Sequence, residues 1–369
     1  MIDEHHADRR SFLRTGALAG TAIAAGTSGA FAQLVDSSRP TQGDIAILRF
    51  LSAIEQIESD LWQQYAELGG VQDSEIPGLP TGGNKPYTDA LNNLDGDMSQ
   101  YIHDNTEDEF SHHAFLNEYL ESIGAKPVDL SKFATLKGSQ ATGANKNKLR
   151  ITNLMQLTVD TSWWTRYRSR DKNPDLDPSF VFPQVVPSLF IKGKTHPAIP
   201  PTDITDTTHI QAIANTAAFH FGFIEQGGTS LYPTLALRVT DPVVLRILLS
   251  IGPTETMHFQ TWHDKAGNAF SPPNNVTFGD LTFNVSTSGE DLQPNLIMPE
   301  PCPFLNRKFP VVSVIRPVSI SPSIFGAMAA VQGFTDDGLF TGQSSEFFKK
   351  LHDLAEDADE ATRKCHRED

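Results

Sequence analysis

The protein has 369 residues, and its 29 lysines and arginines against 45 aspartates and glutamates give a formal net charge of −16. This charge and the lack of any basic run disfavour nucleic-acid binding, and the lack of a strongly apolar stretch of about 18 residues excludes a polytopic membrane protein. The two cysteines, Cys302 and Cys365, are too few for a disulfide-dense scaffold or an all-cysteine zinc site.

Residues 1–32 have the layout of a twin-arginine export signal. Arg9-Arg10 precedes a mildly apolar run over 15–25 that is rich in alanine and glycine, and Ala30-Phe31-Ala32 places small residues where a signal peptidase requires them. The apolar run is short and glycine-rich for a membrane span. We therefore expect cleavage before Gln33, a periplasmic or other extracytoplasmic location, and no transmembrane span in the mature chain.

Apolar spacing and helix-stop signals predict four long helices in two pairs. Apolar residues recur at three- and four-residue steps up to Gly69-Gly70, where the first helix ends. Gly124 and Pro127 end the second helix, and Asp241-Pro242 is typical of an N-cap followed by proline in the first turn. The predicted helices cover about 43–68, 97–123, 206–237 and 242–266.

The segments outside these helices differ in composition. Residues 126–205 are rich in proline, asparagine and threonine, which predicts a long crossover insertion with irregular and short helical pieces. Residues 269–369 predict a C-terminal extension with short strands, followed by a final polar helix over about 344–364, interpreted as a solvated, tail-like element. The predicted fold class is mainly α: a four-helix bundle over 40–268 with this insertion and a β-containing C-terminal extension.

Two of the predicted helices carry a glutamate and a histidine three residues apart. Glu109 and His112 lie on the second helix, and Glu255 and His258 lie on the fourth. Residues at this spacing are neighbours on one face of a helix, so both side chains of a pair can bind the same ion.

Further glutamates are expected at the same height as these motifs. Glu225 precedes the turn near Thr240 by as many residues as Glu255 follows it, and Glu55 and Glu109 have nearly matched positions in the first helix pair. Because antiparallel helices rise equally per residue, the carboxylates of each pair come to one level.

Four carboxylates can share a bundle interior only with compensating positive charge. Burying one ionised carboxylate costs several kcal/mol, and like charges in one site add to that. Two divalent cations would supply the compensation, and oxygen with imidazole donors suits iron or manganese. The predicted ligands are Glu55, Glu109, His112, Glu225, Glu255 and His258, with Glu109 and Glu255 bridging the two ions.

Four motifs in these helices resemble ferritin-like domains, in particular exported members of the desiccation- and stress-related branch. The motifs are Ile47-Leu48-Arg49-Phe50 continuing to Glu55 and Trp62, Glu109-Phe110-Ser111-His112, Glu225-Gln226-Gly227-Gly228 with Tyr232, and Glu255-Thr256-Met257-His258. The resemblance covers roughly 43–125 and 206–266. It implies a bundle that holds two metal ions able to react with O₂ or peroxide.

The ligand on the first helix is open between Glu55 and Glu58. An aromatic residue seven positions after the ligand is common in the family, and Trp62 and Tyr65 satisfy this spacing for Glu55 and Glu58 respectively. The apolar alignment favours Glu55 as the ligand, with Glu58 and Tyr232 beside the ligands.

Other histidines near the motifs are expected to have other roles. Spacing favours His112 over its neighbour His113, His220 is expected to pack or cap, and His263 is expected to lie behind the ligands or at the surface.

A proline in the fourth helix conflicts with the predicted site. Pro253 precedes Glu255 by two residues, and proline removes a backbone donor and kinks a helix. A severe break would turn Glu255 and His258 away from the bundle.

The sequence favours an exported protein with a dinuclear metal centre. If the protein is a catalyst, the expected reactions are Fe(II) oxidation or peroxide consumption in stress protection. The alternative is a non-catalytic envelope protein with a structural or interaction role, in which 126–205 and 269–369 form a binding surface. In an oxidising compartment, Cys302 and Cys365 would close a 63-residue loop, worth about 3–5 kcal/mol on the entropic account. Whether they pair is left open.

Overall fold

The computed structural model describes residues 39–71, 83–167, 181–284 and 324–364, with short pieces between 299 and 321. The predicted export signal and the two cysteines, Cys302 and Cys365, lie outside the described residues. Within them the structure is mainly α, as predicted, with only short two-stranded sheets. None of the described helices is both long enough and apolar enough to cross a membrane.

The helices fall into four long bundle helices and shorter ones around them. In chain order they are α1 (Gln42–Gly69), α2 (Lys85–Asn92), α3 (Met98–Ser122), α4 (Ser162–Arg166), α5 (Thr207–Ala236), α6 (Pro242–Gly267), α7 (Ala327–Asp336) and α8 (Ser345–Asp359). Single 3₁₀ turns occupy Ser131–Phe133, Pro187–Phe190 and Asn268–Phe270. The bundle is formed by α1, α3, α5 and α6.

The strands pair only with a neighbour in sequence order, always antiparallel. The pairs are β1 (Leu136–Lys137) with β2 (Leu149–Arg150), β3 (Thr277–Phe278) with β4 (Leu281–Thr282), β5 (Pro299–Glu300) with β6 (Val312–Ser313), and β7 (Ser319–Ser321) with β8 (Ile324–Phe325). The first pair lies in the insertion between α3 and α5, and the other three lie in the C-terminal extension.

Contacts between side chains show that the bundle helices alternate in direction. Between α1 and α5, Trp62 contacts Glu225 while Glu55 contacts Tyr232, so residue numbers rise in one helix as they fall in the other. The same reversal holds between α1 and α3 and between α5 and α6. Both predicted pairs are therefore antiparallel, which places residues at matched distances from each turn at one level.

One buried carboxylate at the start of α1 joins the two helix pairs. Thr41 Oγ1 accepts a hydrogen bond from the Asp44 backbone N–H at 3.1 Å, and Asp44 Oδ2 accepts one from the Thr41 N–H at 2.8 Å. Asp44 Oδ1 also accepts from the backbone N–H of Thr240 at 2.8 Å, in the turn between α5 and α6. The Asp44 side chain therefore connects the start of α1 to the turn between α5 and α6, which sets the axial position of one helix pair relative to the other.

The insertion covers the polar face of α1. Asp60 Oδ2 accepts hydrogen bonds from the Ile151 and Thr152 backbone N–H groups at 3.0 and 2.9 Å, and buried Glu67 forms an ion pair with buried Arg150. As a result α1 is enclosed almost along its whole length, although a helix with this many polar residues would normally leave one face in water.

The proline in the fourth bundle helix does not interrupt it. Helix α6 continues through Pro253, which lies on the exposed face of the helix, where the hydrogen bond that proline removes is open to solvent. On the opposite face the helices approach closely, since a Cβ built on Gly252 would lie 2.7 Å from Tyr232 Cβ. Glu255 and His258 therefore remain on the side of α6 that faces the bundle.

The prediction that the last helix is a solvated tail is wrong. Helix α8 packs against α1 and α7 and buries a stripe that includes Phe347, Leu351 and Leu354. The charged residues that suggested a solvated helix occupy its outer face, and the apolar residues recur at the spacing of an amphipathic helix. Asp359 also accepts hydrogen bonds from the backbone N–H groups that begin α7.

Candidate metal centre

Four glutamates and two histidines from the four bundle helices meet in the interior. Two groups of ligand atoms each lie within 4.8 Å of one another. The first group consists of Glu55, Glu109, His112 and Glu255, and the second of Glu109, Glu225, Glu255 and His258. Glu109 and Glu255 belong to both groups. The glutamates are buried, while the side chains of His112 and His258 are 8% and 11% exposed.

One ring nitrogen of His112 faces three carboxylates. Its Nδ1 lies 3.2 Å from Glu55 Oε2, 3.2 Å from Glu109 Oε2 and 3.3 Å from Glu255 Oε1. A single N–H can donate well to only one of these oxygens. The convergence of one nitrogen and three oxygens therefore leaves a position suited to a cation.

His258 repeats this arrangement on the other side of the shared carboxylates. Its Nδ1 lies 3.2 Å from Glu225 Oε2 and 3.3 Å from Glu109 Oε1. The centroids of the two histidine rings are 6.5 Å apart, and the ring planes are tilted by 31°.

The spacing of these atoms fits metal coordination. Ligands at right angles around an octahedral ion, each about 2.1 Å from it, lie about 3 Å from one another. Both oxygens of Glu255 are buried, and neither accepts a well-formed hydrogen bond from the residues that the structure describes. A bound cation would satisfy them, since an unpaired buried carboxylate is otherwise strongly unfavourable.

Positive charge would stabilise the ionised carboxylates of the site, because burial and mutual repulsion disfavour them. Burial, together with Glu109 and the other nearby carboxylates, raises the pKa of Glu255 well above its usual range. Burial likewise raises the pKa of Glu109 to about 7, although hydrogen bonds from His112 and His258 oppose the rise. Without a metal ion, protons must neutralise the site, and a bound cation displaces them.

The carboxylates of the site also shift the pKa values of His112 and His258. Burial opposes the charged form of each ring, but the carboxylates outweigh it and raise both pKa values above the usual range. The largest carboxylate contribution comes from Glu55 for His112 and from Glu225 for His258.

An aromatic residue holds each of the two unshared glutamates. The Trp62 Nε1–H donates to Glu225 Oε1 at 3.0 Å, and the Tyr232 hydroxyl donates to Glu55 Oε1. Each aromatic lies seven residues after one glutamate and contacts the other, on the opposite helix pair. In both glutamates this leaves Oε2 directed at a histidine.

The structure places Glu55 among the ligand atoms and Glu58 beside them. Glu58 is buried, its Oε1 accepts no hydrogen bond from the described part of the chain, and it belongs to neither ligand group. Burial and the neighbouring glutamates, first of all Glu55, raise its pKa well above the usual range.

Three polar residues at the site were not identified from the sequence. Asn105 Nδ2 donates to both Glu109 and Glu225 at 2.9 and 3.0 Å, while Asp108 and Thr254 contact the histidines from outside. Asn105 lies one helical turn before Glu109, a spacing that the sequence does display. Asp108 and Thr254 contact residues on another helix, so no local spacing identifies them.

The other nearby histidines stay outside the ligand groups. His113 Nδ1 contacts Ser59 Oγ at 2.8 Å, and His220 Nδ1 contacts the Tyr65 hydroxyl at 2.8 Å. His263 is buried among aromatic rings. These placements agree with the packing role expected for His220 and exclude an exposed position for His263.

Four alternating helices with a buried carboxylate and histidine cluster define a class of bundle with an internal candidate metal site. The family described as the ferritin-like domain matches residues 43–268. The chain belongs to this ferritin-like domain family, as its helix motifs suggest. Neither a curated protein nor a solved structure gives a significant match.

Replacing Gly228 with alanine should disturb the site while the bundle still folds. A Cβ at Gly228 would lie 2.4 Å from Glu255 Oε2, so the carboxylate would have to move. We expect Gly228→Ala to weaken Mn(II) binding about 10–100-fold, measured by isothermal titration calorimetry on metal-free protein.

Gly227→Ala is the matched control, because the nearest atom to its Cβ is 3.9 Å away. It should keep the affinity and stabilise the helix by up to about 1 kcal/mol. Equal affinities in the two variants would contradict the assigned position of Glu255.

His220 should make part of the stability sensitive to acid. Burial lowers its pKa to about 3, whereas the unfolded chain has a value of about 6.5. The unfolded chain therefore binds the extra proton between these values, and the free energy of unfolding falls as the pH decreases through this range. The fall amounts to about 2 kcal/mol between pH 7 and pH 5.

Denaturant unfolding at both pH values would measure this contribution. His220→Asn should lose stability less steeply with acid than the parent protein, because asparagine does not titrate. The same pH dependence in both proteins would show that His220 is not held neutral in the folded state.

Proposed function

We propose that this is an exported protein that binds a dinuclear iron or manganese centre and oxidises Fe(II) or consumes peroxide in stress protection. The sharing of Glu109 and Glu255 between two groups of ligand atoms is the observation that carries the proposal. A single-ion site would need only one of these groups. The family match over 43–268 and the buried ligand cluster support it further.

Each ion would have its own glutamate and histidine. Glu55 and His112 would hold one ion, Glu225 and His258 would hold the other, and the shared carboxylates of Glu109 and Glu255 would serve both. Two redox-active ions held in this way supply electron transfer to O₂ or peroxide when bound.

The surrounding side chains orient the ligands and exclude water. Trp62 stacks on Phe221 and Trp262 with ring centroids 4.9 and 5.4 Å apart, which closes one end of the site with aromatic surface. The Trp262 Nε1–H donates to Asn105 Oδ1 at 2.8 Å and so fixes the amide that donates to the glutamates. These rigid contacts hold the carboxylates together despite their repulsion.

Glu58 is placed to hold a proton beside the ligands. Burial and the neighbouring glutamates raise the pKa of its carboxyl group well above the usual range, which favours the protonated form, and Glu58 Oε1 has no donor among the described residues. Reduction of O₂ or peroxide consumes protons, and this carboxyl group is a buried source of one.

The side of the site between α3 and α6 offers an entry for small reactants. The His112 and His258 side chains are 8% and 11% exposed there, and Asp108 and Met257 lie at the surface beside them. O₂, peroxide and Fe(II) are small enough for such an entry, and the net negative charge of the chain attracts cations.

Export is the part of the proposal that rests on the sequence alone. Arg9→Lys/Arg10→Lys should leave the precursor in the cytoplasm, because the twin-arginine route requires both arginines. Immunoblots of cytoplasmic and exported fractions would measure this. Arg14→Lys is the matched control and should be exported normally. Normal export of the double variant would contradict the proposed route.

The metal site is tested with Glu109→Ala/His112→Ala. After incubation with Fe(II) or Mn(II), the parent protein should retain close to two ions by mass spectrometry, and the variant should retain fewer than one. The parent should also unfold at a higher temperature with metal than with chelator, since a ligand at a hundred times its Kd stabilises by about 2.7 kcal/mol. The variant should lose this difference along with Fe(II) oxidation or peroxide consumption.

Glu118→Ala/Glu121→Ala removes two exposed residues at the same spacing on the same helix and should behave like the parent. If the parent itself retains less than one ion, the metal-binding proposal is wrong and the structural alternative is favoured.

A further inference from the structure

The two histidines of the site have different partners on their outer nitrogens. His258 Nε2 lies 2.9 Å from Asp108 Oδ2, whereas His112 Nε2 lies 3.2 Å from Thr254 Oγ1. The Thr254 hydroxyl donates its own hydrogen to the Ile251 carbonyl at 2.6 Å, so it accepts from His112. One histidine therefore donates to a carboxylate and the other to a neutral hydroxyl.

Asp108 and Thr254 hold equivalent positions in the two halves of the site. Asp108 precedes Glu109 by one residue and contacts the histidine on α6, while Thr254 precedes Glu255 by one residue and contacts the histidine on α3. Each residue thus contacts the opposite helix pair, as Trp62 and Tyr232 do. The two contacts have equivalent positions, but Asp108 is a carboxylate and Thr254 is a neutral hydroxyl.

This difference bears directly on metal binding. A carboxylate that accepts the outer N–H of a histidine makes the inner nitrogen a stronger ligand and fixes the ring, and loss of such a partner costs about 10–100-fold in metal affinity. A hydroxyl fixes the ring without adding charge. Asp108 is 52% exposed, so solvent screening favours the lower end of this range.

The remaining contacts of the two halves are more alike. Each unshared glutamate accepts one hydrogen bond from an aromatic side chain, and each half uses the same two shared carboxylates. Asn105 adds a neutral donor on the His258 side only. The outer partners of the two histidines therefore differ in charge, because His258 contacts the carboxylate of Asp108 and His112 contacts the neutral hydroxyl of Thr254.

We propose that Asp108 makes the two metal positions unequal, so that the position formed by Glu109, Glu225, Glu255 and His258 binds its ion first and more tightly. Asp108 acts through His258 and is a positioning residue. The inference rests on the proposed dinuclear site and adds an order of filling to it.

Titration of the metal-free protein with Mn(II) in a calorimeter tests this order. The parent should bind two ions in steps that differ about tenfold in affinity. Asp108→Thr should weaken the tighter step about tenfold, which brings the two steps together. Because Asp108 lies at the surface, this variant should fold, and circular dichroism would verify that it does.

Exchanging the two residues provides the sharper test. Asp108→Thr/Thr254→Asp should restore unequal steps, but with the first ion at the position of Glu55 and His112. Anomalous scattering from crystals that hold one equivalent of Mn(II) would show which position is filled in the parent and in the exchanged variant. A purely structural role for Asp108 would not reverse this order.

Asp104→Thr is the matched control, since it removes the same charge one helical turn away from Asp108. It should leave both steps unchanged. Two ions bound with equal affinity in the parent, or equal effects of Asp104→Thr and Asp108→Thr, would overturn the inference while leaving the proposed function intact. A parent protein that binds no Mn(II) or Fe(II) would overturn both.

Discussion

Repulsion among buried carboxylates is the constraint on which the rest of this structure depends. Glu55, Glu109, Glu225 and Glu255 meet in the interior, and Glu58 lies beside them. Burial disfavours the ionised form of these carboxylates, and like charges add to the cost. The protonated form avoids this cost, but a protonated carboxyl group is a poor metal ligand. The cluster could hold cations. The raised pKa values of Glu109 and Glu255 indicate that, without cations, these carboxylates bind protons instead.

The surrounding fold resists this repulsion. The bundle helices are held at one height by the shared cap at Asp44, and α1 is enclosed by the insertion through Asp60 and the Glu67–Arg150 ion pair. These contacts lie away from the ligands, which lets them stabilise the bundle without entering the site. The crossover insertion thus buries the polar outer face of the helix that carries Glu55.

The predictions from sequence succeeded where periodic geometry decides the outcome and failed where neighbours on other elements decide it. Helix periodicity placed His112 over Glu109 and His258 over Glu255, because residues three apart share a face. The charged residues of α8 predicted a solvated helix, but they occupy only its outer face, and the apolar stripe that contains Phe347 packs against α1 and α7. The effect of Pro253 depended on which face of α6 points to solvent, and that face is set by packing against α5.

The sequence by itself determined the helical bundle, its antiparallel pairs and the levels of the glutamates and histidines, since spacing along a helix converts directly into height and direction. Only the tertiary structure decided between Glu55 and Glu58 as the member of the ligand group and showed that Asp108 and Thr254 contact opposite histidines. These features depend on how helices face one another across the bundle, and a linear spacing carries no information about the partner that packs against it.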